Sequence, residues 1–338
     1  MSVFIATASA AYWRQALPEL RGADSKITNL HQMAPGVVRF TSGLDRAEFL
    51  ARLEAVERIF LRHIQPVDLE IPTSGSETDL HQIADSLGPL LGSIRPGERI
   101  AVQVRRLGGE FAYERLALKE AIDPRVQAAG AHPVTTGADR ILTLAQEEGL
   151  TCVGMATSTE MGSSWPGGEI RFRREEEQIS RAKFKLLEAF ATFDLRIPDD
   201  GHALDLGAAP GGWTSLLLER GLRVTAVDTG EMAPVLRQNP RLTIRQQNVE
   251  QVSFPADSFD LITCDMSWNP LHTAELVVKQ AQSVRSGAHG VLTIKLMLDN
   301  PTRTIRRVRE LVEQEYRVLR IRQLFHNRDE VTMHLVRR

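Results

Sequence analysis

Apolar and polar positions along this chain follow two rhythms, one of period two and one near 3.6, and together they set out a β/α order. In ERIAVQVRR the residues Ile100, Val102 and Val104 alternate with polar neighbours, as a half-buried strand requires. The preceding DLHQIADSLGPLL and the following LALKEAI carry helical spacing, and RILTLAQEEGLTCVGMA reads as two strands joined by a tight Glu-Glu-Gly turn. Further upstream, FIATAS is strand-like and AEFLARLEAVERIFLRHI helical. Beyond residue 169 the alternation is regular. Helix REEEQISRAKFKLLEAFATF precedes strand HALDLG, helix WTSLLLER, strand LRVTAVD, helix EMAPVLRQ and strand RLTIRQQ. After these come strand FDLITCD, helix HTAELVVKQAQSV, strand GVLTIK, helix TRTIRRVRELVEQ, and strands YRVLRIRQL and EVTMHLV. This order predicts an α/β fold with a doubly wound, mostly parallel sheet. Its last two strands, linked only by FHNRD, should pair antiparallel, because parallel neighbours need a crossover of a dozen or more residues.

Breaks in the pattern divide the chain. The polar, turn-rich EIPTSGSETD, with Pro72 and Gly75 as breakers, predicts a linker, and SSWPGGEIRF a second crossing. Three domains are expected: residues 1–75, residues 76–168 and residues 169–338. The length of 338 residues agrees with two or three units.

Composition narrows the class. Apolar content of 42% and charged content of 25% are those of an ordinary globular chain with a sizeable core. The absence of an apolar run near the ~20 residues of a membrane span, and of a basic stretch ahead of the first apolar residues, gives a cytoplasmic expectation with no membrane partner. Cys152 and Cys264 lie inside apolar runs and are expected as buried reduced thiols. A net charge of -2 excludes a uniformly basic nucleic-acid binder, so any RNA contact must use local patches. Residues 301–338 carry ten arginines against five acids, which fits either such a patch or a solvated helix with ion pairs such as Arg306 with Glu310.

The most informative segment is Asp205-Leu-Gly-Ala-Ala-Pro-Gly-Gly-Trp-Thr214, where a strand hands over to a helix. Gly207, Gly211 and Gly212 allow close backbone approach and unusual dihedrals, while the helix start offers unpaired N–H groups to an anion. Asp228 closes the next strand, where a carboxylate can accept both hydroxyls of a ribose. The G-x-G-x-x-G pattern of dinucleotide enzymes is absent. The complete D-L-G-A-A-P-G-G-W-T instead resembles the signature of the FtsJ-type RNA ribose 2′-O-methyltransferases. That resemblance implies a class I sheet of seven strands, the last one antiparallel, and S-adenosylmethionine held by Asp205, Gly207, Ala209, Pro210, Gly211, Gly212, Trp213, Asp228, Asn248 and Asp265. Asn248 departs from the family's acid at this position, but its amide oxygen can still accept the adenine amino hydrogen.

The same resemblance implies a Lys-Asp-Lys-Glu tetrad, matched in order by Lys185, Asp265, Lys295 and Glu330. Their placement at strand ends supports this independently, since Asp265 and Lys295 close apolar strands and the last strand begins at Glu330. The chain holds only six lysines against 35 arginines, which makes lysine at two motif positions less ordinary. Lys183 competes with Lys185, but positions two apart on a helix point about 200° apart, so one alone can face the site. Simpler roles exist for each residue: Lys185 pairing with Glu188, Asp265 capping the next helix, Glu330 pairing with Arg328 or Lys295. In the implied mechanism Lys295 is the base for a ribose 2′-hydroxyl. Its deprotonation is favoured by desolvation, a sulfonium and Lys185, and opposed by Asp265 and Glu330.

The segment around RILTL and VGMA is similar to the end of a THUMP domain, an RNA-binding module, so α+β RNA-binding domains are expected ahead of the catalytic one. That order, with CDM and the ending HNRDEVTMH, is similar to the bacterial large-subunit ribosomal RNA methyltransferase M family, which implies ribosomal RNA as partner. Two other classes stay open: a base-nitrogen or small-molecule methyltransferase, for which Trp268 and Asn269 supply stacking and edge-reading groups, and a non-catalytic RNA-binding assembly factor.

Overall fold

The computed structural model describes residues 1–173, 179–296 and 300–338. The chain divides into two units, Met1–Ile170 and Arg171–Arg338. Among the described residues no helix is long and apolar enough to cross a membrane.

The first unit holds two sheets. One is built from β1 (Ser2–Thr7), α1 (Trp13–Ala23), β2 (Thr28–Ala34), β3 (Val37–Ser42), α2 (Arg46–Ala55) and β4 (His63–Val67), with strand order β2-β3-β1-β4. Phe4, Phe40, Phe49, Leu20 and Leu53 fill its core. The segment AEFLARLEAVERIFLRHI is therefore not one helix. It ends at Ala55, and its last residues enter β4, where His63 pairs with Thr7. The cause is tertiary: the Glu19 carboxylate accepts the N–H groups of Ile59, Phe60 and Leu61 at 2.8–2.9 Å, which holds them in a turn that no helix could share.

The second sheet runs β5 (Leu69–Pro72), α3 (Thr78–Ser86), α4 (Gly88–Leu91), β6 (Arg99–Arg106), α5 (Arg115–Ala128), β7 (His132–Val134), β8 (Arg140–Glu147), β9 (Leu150–Ala156) and α6 (Ser158–Met161), in order β5-β9-β8-β6-β7. The expected hairpin of β8 and β9 forms, with Gly149 at φ +77° in the turn. The start of the expected linker is instead the edge strand β5, which pairs with β9 through Glu70 and Cys152. Only the following Ser74–Ser76 stretch is a turn, drawn together by the buried Asp79 carboxylate, which accepts Ser74 N–H and Gly75 N–H.

The second unit contains α7 (Lys183–Phe193), β10 (His202–Leu206), α8 (Gly212–Glu219), β11 (Arg223–Asp228), β12 (Leu242–Gln246), β13 (Phe259–Cys264), α9 (Pro270–Lys279), β14 (Val284–Lys295), α10 (Pro301–Val312), β15 (Tyr316–Arg322) and β16 (Glu330–Arg337). The sheet order is β12-β11-β10-β13-β14-β16-β15, parallel through β14, with β16 antiparallel to both neighbours. This is the expected doubly wound seven-stranded architecture. Part of the first expected helix, residues 174–178, lies outside the described residues. The expected helix EMAPVLRQ is only a short 3-10 turn at Pro234–Leu236, because Pro234 lacks an N–H and Arg237 Nε donates to the Met232 carbonyl instead.

Candidate functional site

In a doubly wound sheet the parallel strands end along one edge, and the chemistry-bearing residues of this unit lie there. Register fixes their neighbours. Leu206 pairs with Cys264, so the glycine loop after β10 and Asp265 after β13 leave the sheet side by side. Lys295, the last residue of β14, pairs directly with Glu330, the first of β16. A helix outside the sheet supplies the fourth group, Lys185 of α7.

These four residues form one ionic cluster. Lys185 Nζ lies 3.2 Å from both Asp265 carboxylate oxygens and 3.2 Å from Glu330 Oε1, which is also in contact with Lys295 Nζ. Glu330 Oε2 accepts the Arg328 N–H at 2.8 Å, so the carboxylate is held on both sides. Burial pushes both acids up. For Asp265 that effect outweighs the adjacent Lys185, and its carboxyl lies above the ordinary range. For Glu330 the hydrogen bond from Lys295 and the charge of Lys185 win, and the carboxyl lies below it. Two of the simpler roles fall to other residues, since Asn269 caps α9 and Glu188 accepts the Phe325 and His326 N–H groups, and Lys183 pairs with Glu219 at 2.8 Å; the third is met, since Glu330 pairs with Lys295.

The glycine loop is built for close approach. Gly207 has φ +73° and Gly211 φ +114°, both costly for any residue with a side chain. A Cβ at Gly207 would sit 2.3 Å from Met266 Cγ, and one at Gly211 2.3 Å from Leu236 Cδ1. Gly211 precedes α8, whose first-turn N–H groups have no intrahelical acceptor and so suit a carboxylate. Across the loop, Asp228 accepts the Ala209 N–H at 3.0 Å and the Gly230 N–H at 2.7 Å, one on each oxygen. Each oxygen keeps a second lone pair for a vicinal diol. The donor and acceptor set therefore fits an amino-acid carboxylate at one end and a ribose at the other.

Besides Asp228 and Asp265, three more of the expected cofactor residues have their side chains engaged within the protein. Asp205 is 1% exposed and accepts the hydroxyls of Thr214 at 2.6 Å and Thr263 at 2.9 Å. Burial pushes its carboxyl up to about 7, further helped by the charges of Asp265 and Asp228. Trp213 turns its ring into the core with Leu186 and Leu216, and its Nε1 donates to the Ala182 carbonyl at 2.8 Å, so only its backbone faces the loop. Asn248 Oδ1 accepts the Glu250 N–H at 2.9 Å as a cap, leaving one lone pair and the amide N–H groups. Thr263 and Glu188 carry no motif; their importance depends on strand register and on a partner 137 residues away, neither of which the sequence displays.

Along the C-terminal stretch the Arg306–Glu310 pair forms at 3.8 Å on an exposed face, the weakly held kind of ion pair. Cys152 and Cys264 are both free and buried.

Residues 178–326 match the family model of the FtsJ-like methyltransferases. A ribosomal RNA large subunit methyltransferase M of Teredinibacter turnerae is 33% identical over 238 residues, covering 64% of this chain and 66% of that one. A protein of the same name from Halorhodospira halophila is 36% identical over 174 residues, 50% of each chain. The chain thus spans half to about two thirds of the length of these relatives. The solved structure of TrmN from Thermus thermophilus overlays both chains in full, at 14% identity and a TM-score of 0.42, a likeness too distant to add to the fold already described.

Proposed function

From a C-terminal unit that carries an FtsJ-like methyltransferase domain, we infer that this protein is an S-adenosylmethionine-dependent methyltransferase of RNA ribose 2′-hydroxyls, acting on large-subunit ribosomal RNA in the cytoplasm. The observation that carries the reading is the Lys185–Asp265–Glu330–Lys295 cluster on the sheet edge beside the glycine loop.

When bound, S-adenosylmethionine supplies an electrophilic methyl group on a sulfonium. The start of α8 would hold its carboxylate and Asp228 its ribose diol. Lys295, aimed by Glu330, would as its neutral amine take the proton from the attacking 2′-hydroxyl while the new oxygen–methyl bond replaces the methyl–sulfur bond, whose electron pair would stay on sulfur in the departing thioether. Lys185 bridges Asp265 and Glu330 and so offsets part of the repulsion between the two buried acids beside the base. The sheet edge places Asp265, Lys295 and Glu330, and α7 brings Lys185 against the two acids, so the four side chains are oriented before the RNA arrives. The N-terminal unit, in which the segment from residue 76 to 168 is similar to a THUMP domain, would deliver the RNA.

Methylation of a base nitrogen is the competing chemistry. It needs an edge-reading polar group beside the stacking residue. Asn269 is the candidate for that role, but its Oδ1 is committed to the N–H groups of Leu271 and His272, which leaves only its amide N–H groups to read a base edge. The ribose reading needs no such group.

The test is to incubate the protein with labelled cofactor and large-subunit rRNA transcribed in vitro, then map phosphodiesters that resist alkali. Ribose methylation removes the hydroxyl that attacks the neighbouring phosphate, so a single protected step is expected. Label on a base, or none on RNA, would overturn the reading.

A further inference from the structure

The ribose mechanism leaves one prominent residue of the rim unused. Trp268 follows Asp265 by three residues, on the loop that leaves β13, and is 45% exposed. An indole left in water forgoes the large burial gain that aromatic side chains provide. Its companion Trp213, by contrast, is 3% exposed.

The ring is nevertheless held in one orientation. It stacks against the His272 imidazole in an offset arrangement, with centroids 5.7 Å apart and planes 14° from parallel. His272 is anchored in turn, with Nε2 2.8 Å from the Glu250 carboxylate and Nδ1 3.5 Å from Glu275. The Glu250 carbonyl also accepts from Lys279, so the segment after β12 is tied to both ends of α9. On the other side of Trp268, Asn269 caps α9 and its carbonyl accepts the Thr273 hydroxyl at 3.2 Å, which fixes where the loop ends. The result is a flat aromatic surface braced by His272 and still 45% exposed, three residues along the chain from the acid that holds Lys185. Holding the ring in advance removes most of the ordering cost that stacking would otherwise incur.

We propose that Trp268 is the stacking platform for an unpaired base of the RNA, at the methylated nucleotide or one step to either side, and so a positioning residue for the ribose. Every base offers a π-face, so the contact selects unpaired RNA over paired RNA without selecting a sequence. It also gives Trp268 a use consistent with ribose chemistry: it grips the base while the hydroxyl reacts elsewhere on the same nucleotide. This inference rests on the ribose reading above.

The experiment compares wild type, Trp268→Ala and Trp268→Phe on rRNA transcribed in vitro, with S-adenosylmethionine affinity measured by titration calorimetry. The alanine variant should raise KM for RNA roughly 5- to 150-fold, the range of one lost base–aromatic stack. Its kcat and cofactor Kd should stay near wild type, and phenylalanine should restore most of the loss. A second arm uses RNA with an abasic nucleotide at the methylated position or at either neighbour. At one of the three, the difference between tryptophan and alanine should vanish. An unchanged KM in Trp268→Ala, an effect on cofactor Kd instead, or an undiminished difference at all three abasic positions would overturn the platform while leaving the ribose reading intact. Failure of the wild type to methylate RNA ribose would overturn both.

Discussion

Asp205→Asn tests whether the acid beneath the glycine loop is held against its own charge. The wild-type carboxyl rises from an ordinary 3.8 to about 7, chiefly through burial. At about 1.4 kcal/mol for each tenfold change in proton affinity, its ionised form is about 4 kcal/mol less stable in the fold than in the unfolded chain. The sign follows from proton counts. Below pH 3.8 the group is protonated in both states and contributes no slope. Between 3.8 and about 7 the unfolded chain has released its proton and the folded chain retains it, so stability falls as pH rises; above 7 the loss is complete. An asparagine stays neutral, can still accept from one threonine hydroxyl, and can donate to the other. The variant should therefore match the wild type near pH 4 and exceed it by up to about 4 kcal/mol at pH 8. Hydrogen exchange of peptides from β10 and β13, measured from pH 4 to 8 on both proteins, reads the opening of this unit alone. Parallel pH profiles for the two proteins, or a variant less stable than wild type at pH 8, would refute the reasoning.

Gly211→Ala places a side chain at φ +114° with its Cβ against Leu236. A cost of about 1–3 kcal/mol is expected, together with weaker cofactor binding as the loop shifts; a melting temperature and calorimetric Kd equal to wild type would contradict this. Glu188→Ala removes the carboxylate that accepts the Phe325 and His326 N–H groups at 2.7 and 2.8 Å and lies 2.7 Å from His326 Nδ1. The two part-buried N–H donors would then lose this acceptor at a local cost of about 1–3 kcal/mol, seen as faster exchange of residues 324–330. Because Glu330 lies at the end of that turn, methyl transfer should fall with it.

Much of this architecture was legible in the chain. The strand and helix order of the second unit follows from its two periods, and the antiparallel last pair from a five-residue link. The contest between Lys183 and Lys185 was open to a helical-wheel argument, and they do take different partners. What could not be read depends on contacts between distant residues. β5 lies within a polar, breaker-rich stretch and is a strand only because β9, about 80 residues on, offers it an edge. The end of α2 is set by Glu19 from another helix. The helix expected over LALKEAI runs on past Pro124 to Ala128, with Ile122 and Val126 buried in the core on either side of the proline. In the site, Trp213 belongs to a motif but faces the interior, and the hydroxyl of Thr263 reaches Asp205 only through the pairing of β10 with β13.

The central claim is that Lys295 is the base, so the most direct measurement is single-turnover methyl transfer by Lys295→Met, paired with calorimetric cofactor binding. The account predicts that transfer falls by at least about 10²- to 10⁴-fold, the usual contribution of a positioned base, while the cofactor binds as in wild type. Methylated RNA formed at the wild-type rate by that variant would contradict it.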